Sequence, residues 1–370
     1  MYLEKDLVGI AKRENNNKRK YLVVNKLQGK HIAVNPQDTL NMFDELAACI
    51  KEEYSEEKLL LVGFAETATA IGARLAVDVD SYYMQTTREE IEDVEYLYFT
   101  ESHSHATEQK LIKTDLDTII DDIDRIIFVE DEVTTGNTIL KIVDIIEKTY
   151  EKNIEFSVVS ILNGMDEASK EVYDKRNIKL HYLVKTNHEP YSDIADGYKG
   201  DGEYCELVDS KECDAEAVSC KADKGYVDAR RLTKGQEYEK ACEELWKQVL
   251  NYTDYNQGES VLVIGTEEFM YPAIYVADRL AESGFVVKTH STTRSPIAVS
   301  TEEEYPVKVR FRLASLYDDE RCTYIYDLKK YDRVLIVTDS KEELTFGLNS
   351  LKNALVHCGN TDIRVIRWCK

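Results

Sequence analysis

The chain has 370 residues, with 47 Lys and Arg against 70 Asp and Glu and a formal net charge of −23. That length allows two domains and a substantial core, while the acidic balance argues against broad binding to nucleic acid or an anionic membrane, which needs a basic surface. No apolar run approaches the roughly 20 residues required to cross a bilayer and the first 20 residues lack a signal-peptide core, so a cytoplasmic protein without membrane association is expected.

In chain order, the first half alternates strand and helix patterns. YLVVNKL at 21–27 reads as a strand, and TLNMFDELAACIKEEY at 39–54 has helical periodicity. KLLLVGF at 58–64 is an apolar strand pattern, followed by a small-residue loop and helix in AETATAIGARLAVDV. SYYMQTT at 81–87 is a third strand, and 114–124 reads as a helix. The next strand starts at Ile126, and FSVVSIL at 156–162 and KLHYLV at 179–184 complete the set. Such alternation implies an α/β fold with a doubly wound, parallel sheet.

Residues 126–138, IIFVEDEVTTGNT, carry the densest chemistry. Ile126 to Val129 suit a strand buried on both faces. Glu130 and Asp131 follow near its carboxyl end, where open α/β sheets bind ligands. Thr134 to Thr138 then turn into the helical pattern TILKIVDII, bringing backbone N–H groups, hydroxyls and the positive helix end to one point that suits a phosphate. The adjacent acids can accept hydrogen bonds from two neighbouring sugar hydroxyls and favour a cation with oxygen ligands. The competing reading is an ordinary strand-turn-helix with acids at its mouth.

This string resembles the phosphoribosyl pyrophosphate (PRPP) motif of type I phosphoribosyltransferases. The resemblance implies that Glu130 and Asp131 hold the ribose 2′- and 3′-hydroxyls, and that Val133, Thr134, Thr135, Gly136, Asn137 and Thr138 hold the 5′-phosphate. Mg²⁺ would be held mainly by PRPP, with Glu130 and Asp131 nearby. Glu132 departs from the family, which usually has an apolar residue there. Thr134 also bears on the acceptor: relatives acting on 6-oxopurines carry Asp at that place, which argues against hypoxanthine or guanine.

Three further segments fall where the resemblance needs them. VGFAETATAIG, Val62 to Gly72, matches the family's pyrophosphate loop and makes Ala65, Glu66 and Thr67 diphosphate contacts, although a tight turn also explains it. Arg88, at the end of QTTR, suits a bidentate contact to the departing diphosphate; the alternative is an Arg paired with Glu89, Glu90 or Glu92. FTESHSHATEQKL places His103 and His105 where related enzymes have a mobile loop that closes over PRPP, making them candidates for proton transfer or base recognition. A metal-binding pair beside Glu101 and Glu108, or a plain polar loop, are the other readings. Lys26, Lys30 and His31 are candidates for a hood over the base.

From about residue 188 the pattern becomes polar and turn-rich, reading as a connection over 191–235 between a 1–190 domain and a 236–370 domain. The eight cysteines include no CxxC pair, and Cys205, Cys213 and Cys220 lack the spacing of a zinc site, so reduced thiols are expected. EYEKACEELWKQVLNY opens the second domain with a long helix. That domain repeats the first: VLVIGTEEFMYPAIYVADRLAESG echoes the VGFAETATAIG unit, VVKTHSTTRSP echoes SYYMQTTRE with a shared Thr-Thr-Arg at 86–88 and 292–294, and YDRVLIVTDSKEELTFG parallels DRIIFVEDEVTTGNT. The copy lacks the acid pair and the Thr-Thr-Gly-x-Thr turn, so it should not bind PRPP in the same way.

TTRSP at 292–296 and GTEEFMYP resemble the TRSP domain. Together with GKHIAV, GFAETAT and HSHAT, they make the whole chain similar to two-domain phosphoribosyltransferases encoded in bacterial tellurium-resistance and stress-response gene clusters. The resemblance implies PRPP-dependent, Mg²⁺-assisted transfer of a phosphoribosyl group to a small nitrogenous acceptor in making a nucleotide-like metabolite. Thr293, Arg294 and Ser295 would form a second functional site, unless Arg294 simply caps a strand end as a surface ion pair. Two other activities stay open: a PRPP- or nucleotide-sensing regulator without turnover, and the reverse reaction as a phosphorylase or nucleosidase. A homodimer is compatible with the sequence.

Overall fold

A computed structural model describes residues 2–14, 19–99, 109–209, 213, 216–252, 258–341 and 345–369. The chain forms two compact units that interleave along the sequence. The first comprises Met1–Glu4, Asn41–Asn187 and Val227–Lys240; the second comprises Lys5–Leu40, His188–Tyr226 and Ala241–Lys370.

The first unit is built on a six-stranded sheet. Its spatial order is Thr233–Lys234, Tyr82–Gln85, Leu59–Gly63, Arg125–Val133, Glu155–Asn163, Lys179–Lys185. All neighbours run parallel except the short strand Thr233–Lys234, which pairs antiparallel with Tyr82–Gln85. Leu59 to Gly63 are all buried, as are Arg125 to Val129, because a central parallel strand is covered on both faces. Phe64, Phe128 and Phe156 form a ring ladder through this core. From the central strand Leu59–Gly63 the chain moves first to one side, to Tyr82–Gln85, and then to the other, to Arg125–Val133. That reversal opens a crevice beyond the carboxyl ends of Leu59–Gly63 and Arg125–Val133.

Two expectations change. The segment 114–124 is only a single helical turn, Lys113–Leu116, followed by turns with mixed i+3 and i+4 bonds. Leu116, Ile119, Ile120 and Ile123 are buried as helical spacing suggests, but Asp117, Asp121, Asp122 and Asp124 compete with the backbone for hydrogen bonds. The acids at 130 and 131 also do not emerge beyond the strand. Pairing with the equally long Glu155–Asn163 carries the strand through Val133, opposite Asn163.

The second unit contains a five-stranded, fully parallel sheet in the order Val218–Ala222, Ile363–Trp368, Arg333–Thr338, Ser260–Thr266, Val286–Thr292. A three-stranded sheet adds Glu203–Glu206, Val309–Ala314 and Cys322–Tyr326. The hairpin Val8–Lys12 and Tyr21–Asn25 belongs to this unit, its Ala11 and Val24 sharing a core with Ile297, Val299, Tyr305, Val307 and Tyr326. The segment that reads as a connection is therefore strand-bearing. Glu203–Glu206 and Val218–Ala222 are edge strands too short to show a period.

The two large sheets share one framework. Leu59 pairs with Arg125 as Val261 pairs with Arg333. Glu57 binds the Arg125 guanidinium, 2.7 Å from Nε, and Glu259 lies 3.5 Å from Arg333 Nη2. The Lys58 amide donates to Asp124 Oδ2, and the Ser260 amide to Asp332 Oδ2, each at 2.8 Å. Past the strand glycines Gly63 and Gly265, the amides of Ala65 and Glu267 donate to the hydroxyls of Thr86 and Thr292, at 2.8 and 3.1 Å. The echo in the sequence is thus a repeat of specific bonds.

Candidate active site

Glu130 and Asp131 are half-buried at the far end of Arg125–Val133. Val133 is buried; Thr134, Thr135 and Thr138 are half-buried; Asn137 is exposed at the start of the helix Asn137–Thr149. Gly136 precedes that helix with φ +68°, the left-handed region that glycine adopts without strain. Space also demands glycine here: an added Cβ would lie 2.1 Å from the Tyr173 hydroxyl.

Tyr173 sits 37 residues along the chain and gave no sign in the sequence of belonging here. It is fully buried, and its hydroxyl donates to the Gly136 carbonyl at 2.7 Å. Burial, then the negative charge of Glu130, holds its phenol well above the usual range. Tyr173 thus stays a neutral donor that fixes the turn.

Across the crevice, Phe64 donates its amide to the Val129 carbonyl at 3.0 Å, tying the two strand ends together. Ala65 and Glu66 are buried, Thr67 is half-buried, and the Ala65–Glu66 peptide is cis. Thr86 Oγ1 receives the Ala65 amide and donates to Gln109 Oε1 at 2.7 Å, while Gln109 Nε2 donates to the Ala65 carbonyl at 3.0 Å. The loop Ala65–Thr67 is therefore latched to the strand that ends in Thr-Thr-Arg. Arg88 follows, half-buried.

Thr87 and Lys110 exchange backbone bonds of 2.9 and 3.1 Å, so the residue after Gln109 lies next to the Arg88 segment. Lys110 is buried, contacts Glu90, and places Nζ 4.7 Å above the Tyr96 ring. Neither Gln109 nor Lys110 could be picked out from the sequence, because both act through a pairing across the 99–111 interval. The interval's ends, Phe99 and Gln109, pair as antiparallel strands; His103 and His105 between them lie outside the described residues.

Lys30 and His31 are buried in the second unit, where His31 packs its ring 5.8 Å from Tyr326, and Lys26 donates to the Lys5 carbonyl at 2.8 Å. In the same unit, the second Thr-Thr-Arg ends its own strand at the matching switch point. Arg294 binds Glu268 at 3.0 Å and lies 3.8 Å from Glu267, whose carboxylate also receives Ser315 Oγ at 2.5 Å and faces Arg321 at 3.2 Å. Glu267 and Glu268 are buried, so this Arg belongs to an interior ion network and not to a surface pair. The Thr293 backbone bridges to Tyr324, and the Ser295 carbonyl accepts from Tyr326. Asp339, one residue past its strand, holds the place of Asp131 and accepts from Tyr317 at 2.6 Å, whereas Thr338 replaces Glu130.

Solved structures similar to part of this chain include phosphoribosyltransferases. Adenine phosphoribosyltransferase from Rhodothermus marinus is 13% identical, covering 49% of this chain and 96% of its own, with a TM-score of 0.34. The Giardia lamblia enzyme complexed with 9-deazaadenine is 15% identical, covering 49% and 95%, with a TM-score of 0.35. Orotate phosphoribosyltransferase from Aeropyrum pernix is 14% identical, covering 49% and 89%, at 0.32. No curated protein matches the chain. At the level of sequence families, the phosphoribosyl transferase profile matches residues 7–188 and the profile of the TRSP domain, found C-terminal to that transferase, matches 230–355. The chain belongs to the family of phosphoribosyltransferases that carry a TRSP domain behind the transferase domain.

Proposed function

We propose that the first unit transfers a 5-phosphoribosyl group from PRPP to a small nitrogenous acceptor and releases diphosphate. The observation that carries this reading is one crevice flanked by Glu130 and Asp131 on one strand end and by a glycine turn opening a helix. Glu130 and Asp131 hold the ribose hydroxyls, and the turn Val133–Thr138 takes the 5′-phosphate through backbone amides and hydroxyls. Glu66 and Thr67, with Arg88, face the departing diphosphate; Ala65 contributes shape, since its amide already serves Thr86.

Breaking the bond at the anomeric carbon builds positive charge on the sugar and negative charge on the diphosphate, so prearranged donors accelerate the step by favouring the charged state. The carboxylates of Glu130 and Asp131 are hard oxygen donors of the kind Mg²⁺ takes. Bound with PRPP, Mg²⁺ would supply charge neutralisation of the diphosphate. His103 or His105 takes the proton that the acceptor nitrogen gives up as it bonds to the sugar. The second Thr-Thr-Arg, with Thr293, Arg294 and Ser295, is a separate site that does not take diphosphate, because Glu267 and Glu268 already occupy its arginine. A cytoplasmic role in making a nucleotide-like metabolite of the tellurium stress response fits the two-domain resemblance.

The test is diphosphate release from PRPP as candidate bases are supplied, together with calorimetry. PRPP should bind only with Mg²⁺, and Glu130→Gln with Asp131→Asn should weaken binding at least tenfold, about 1.4 kcal/mol. Unchanged affinity in that variant would remove the assigned roles. Tight PRPP binding without diphosphate release for any base would favour a sensor.

A further inference from the structure

The strand Glu203–Glu206 lies at the edge of the three-stranded sheet of the second unit, parallel to Val309–Ala314. Residues two apart on a strand share a face, which puts the Glu203 carboxylate and the Cys205 thiol side by side, with Sγ 3.6 Å from Oε1. The helix Thr345–His357 ends beside them. His357 Nε2 is 3.9 Å from the same Glu203 oxygen, and the three donor atoms all fall within 4.8 Å of one another. Phe311, directly opposite Cys205 in the sheet, meets the His357 ring edge-on at 5.8 Å and 71°, which orients the imidazole.

A thiol, an imidazole and a carboxylate therefore converge, drawn from two segments about 150 residues apart in sequence, a separation no local spacing rule for zinc can detect.

The donor geometry can be compared with that of a tetrahedral ion. Zinc bonds of about 2.3 Å to sulfur and about 2.0–2.2 Å to nitrogen and oxygen require donor separations of roughly 3.4–3.6 Å. The observed 3.6 Å between Sγ and Oε1 already fits, the 3.9 Å between Nε2 and Oε1 needs a contraction of about 0.5 Å, and the Sγ–Nε2 separation, within 4.8 Å, needs at most about 1.2 Å. Thiolate and imidazole are borderline-soft ligands that prefer zinc to the hard Mg²⁺. A divalent cation would also remove the mutual repulsion of groups that are negative when deprotonated, the ligating thiol giving up its proton to solvent as the metal binds.

We propose that Glu203, Cys205 and His357 form a three-ligand zinc(II) site that clasps the edge strand to the end of the helix. The site is independent of the phosphoribosyl reading and needs no PRPP for its test.

The full-length protein, stripped with chelator under reducing conditions, would be titrated with Zn²⁺ in excess Mg²⁺. One equivalent should bind, and Co²⁺ in its place should give a thiolate-to-metal charge-transfer band. Cys205→Ser and His357→Ala should each weaken zinc at least tenfold and abolish or shift the band, with circular dichroism unchanged from the parent. Cys49→Ser, in the other unit, should leave the band alone. Absence of stoichiometric zinc, or equal affinity in Cys205→Ser and His357→Ala, would overturn the site.

Discussion

At the level of single residues, the turn proposed to take the phosphate depends on what fills the space behind Gly136. A methyl group there meets the Tyr173 hydroxyl at 2.1 Å and its ring carbon at 2.6 Å, on a backbone with φ +68°. Gly136→Ala should therefore destabilise the protein by about 2–4 kcal/mol, the sum of overpacking and left-handed strain, and weaken PRPP binding, read by urea denaturation and calorimetry. Tyr173→Phe removes only the bond to the Gly136 carbonyl and should cost about 1 kcal/mol. The glycine was legible in the sequence because turn chemistry is local. Tyr173, Gln109 and Lys110 were not, because their roles arise from contacts that only the folded sheet creates.

Among the elements, the helix Thr69–Asp78 carries an internal conflict. It ends in Asp78, an acid at the negative end of the helix dipole. Burial raises the Asp78 carboxyl to about 7; Arg74, 3.3 Å away, opposes the shift, and Asp44, which shares that arginine at 2.7 Å, adds to it. The folded chain consequently keeps a proton that the unfolded chain loses, between about pH 4 and pH 7, and stability falls as pH rises through that window. Asp78→Asn removes the penalty. Its melting temperature should exceed the parent's at pH 8, by an amount equivalent to about 1–3 kcal/mol, and the gap should close toward pH 4. Long apolar strands such as Leu59–Gly63 and Glu155–Asn163 could be read from the sequence because continuous burial imposes continuous hydrophobicity. Glu203–Glu206, Val218–Ala222 and Thr233–Lys234 could not, since an edge strand of two to five residues needs only a neighbour's backbone.

For the whole molecule, the interleaving of the units governs how it can be divided. The segment Val227–Lys240 completes the first unit: Arg231 grips Asp115 with bonds of 2.7 and 2.6 Å, the Leu232 amide adds a third at 2.8 Å, and Gly235 donates to Ser81. A fragment ending at residue 188 leaves the buried Asp115 without its half-exposed cation and the Leu232 amide, a loss of about 1–3 kcal/mol. It should unfold at a clearly lower urea concentration than a fragment ending at residue 240; equal midpoints would refute the role given to this segment. Sequence profiles follow contiguous ancestry, 7–188 and 230–355, while compactness follows contacts, and the two need not coincide. The bonds common to both large sheets, Glu57 with Arg125 and Asp124 with Lys58, Glu259 with Arg333 and Asp332 with Ser260, sit at the amino ends of the strands. The proposed ligand chemistry sits at the opposite rim. A duplicated sheet wired in this way can have its rim rewritten, acid for threonine or empty loop for buried carboxylates, while its foundations stay untouched, so new specificities should be easier to graft onto either half than onto a fold whose fastenings and recognition residues are the same side chains.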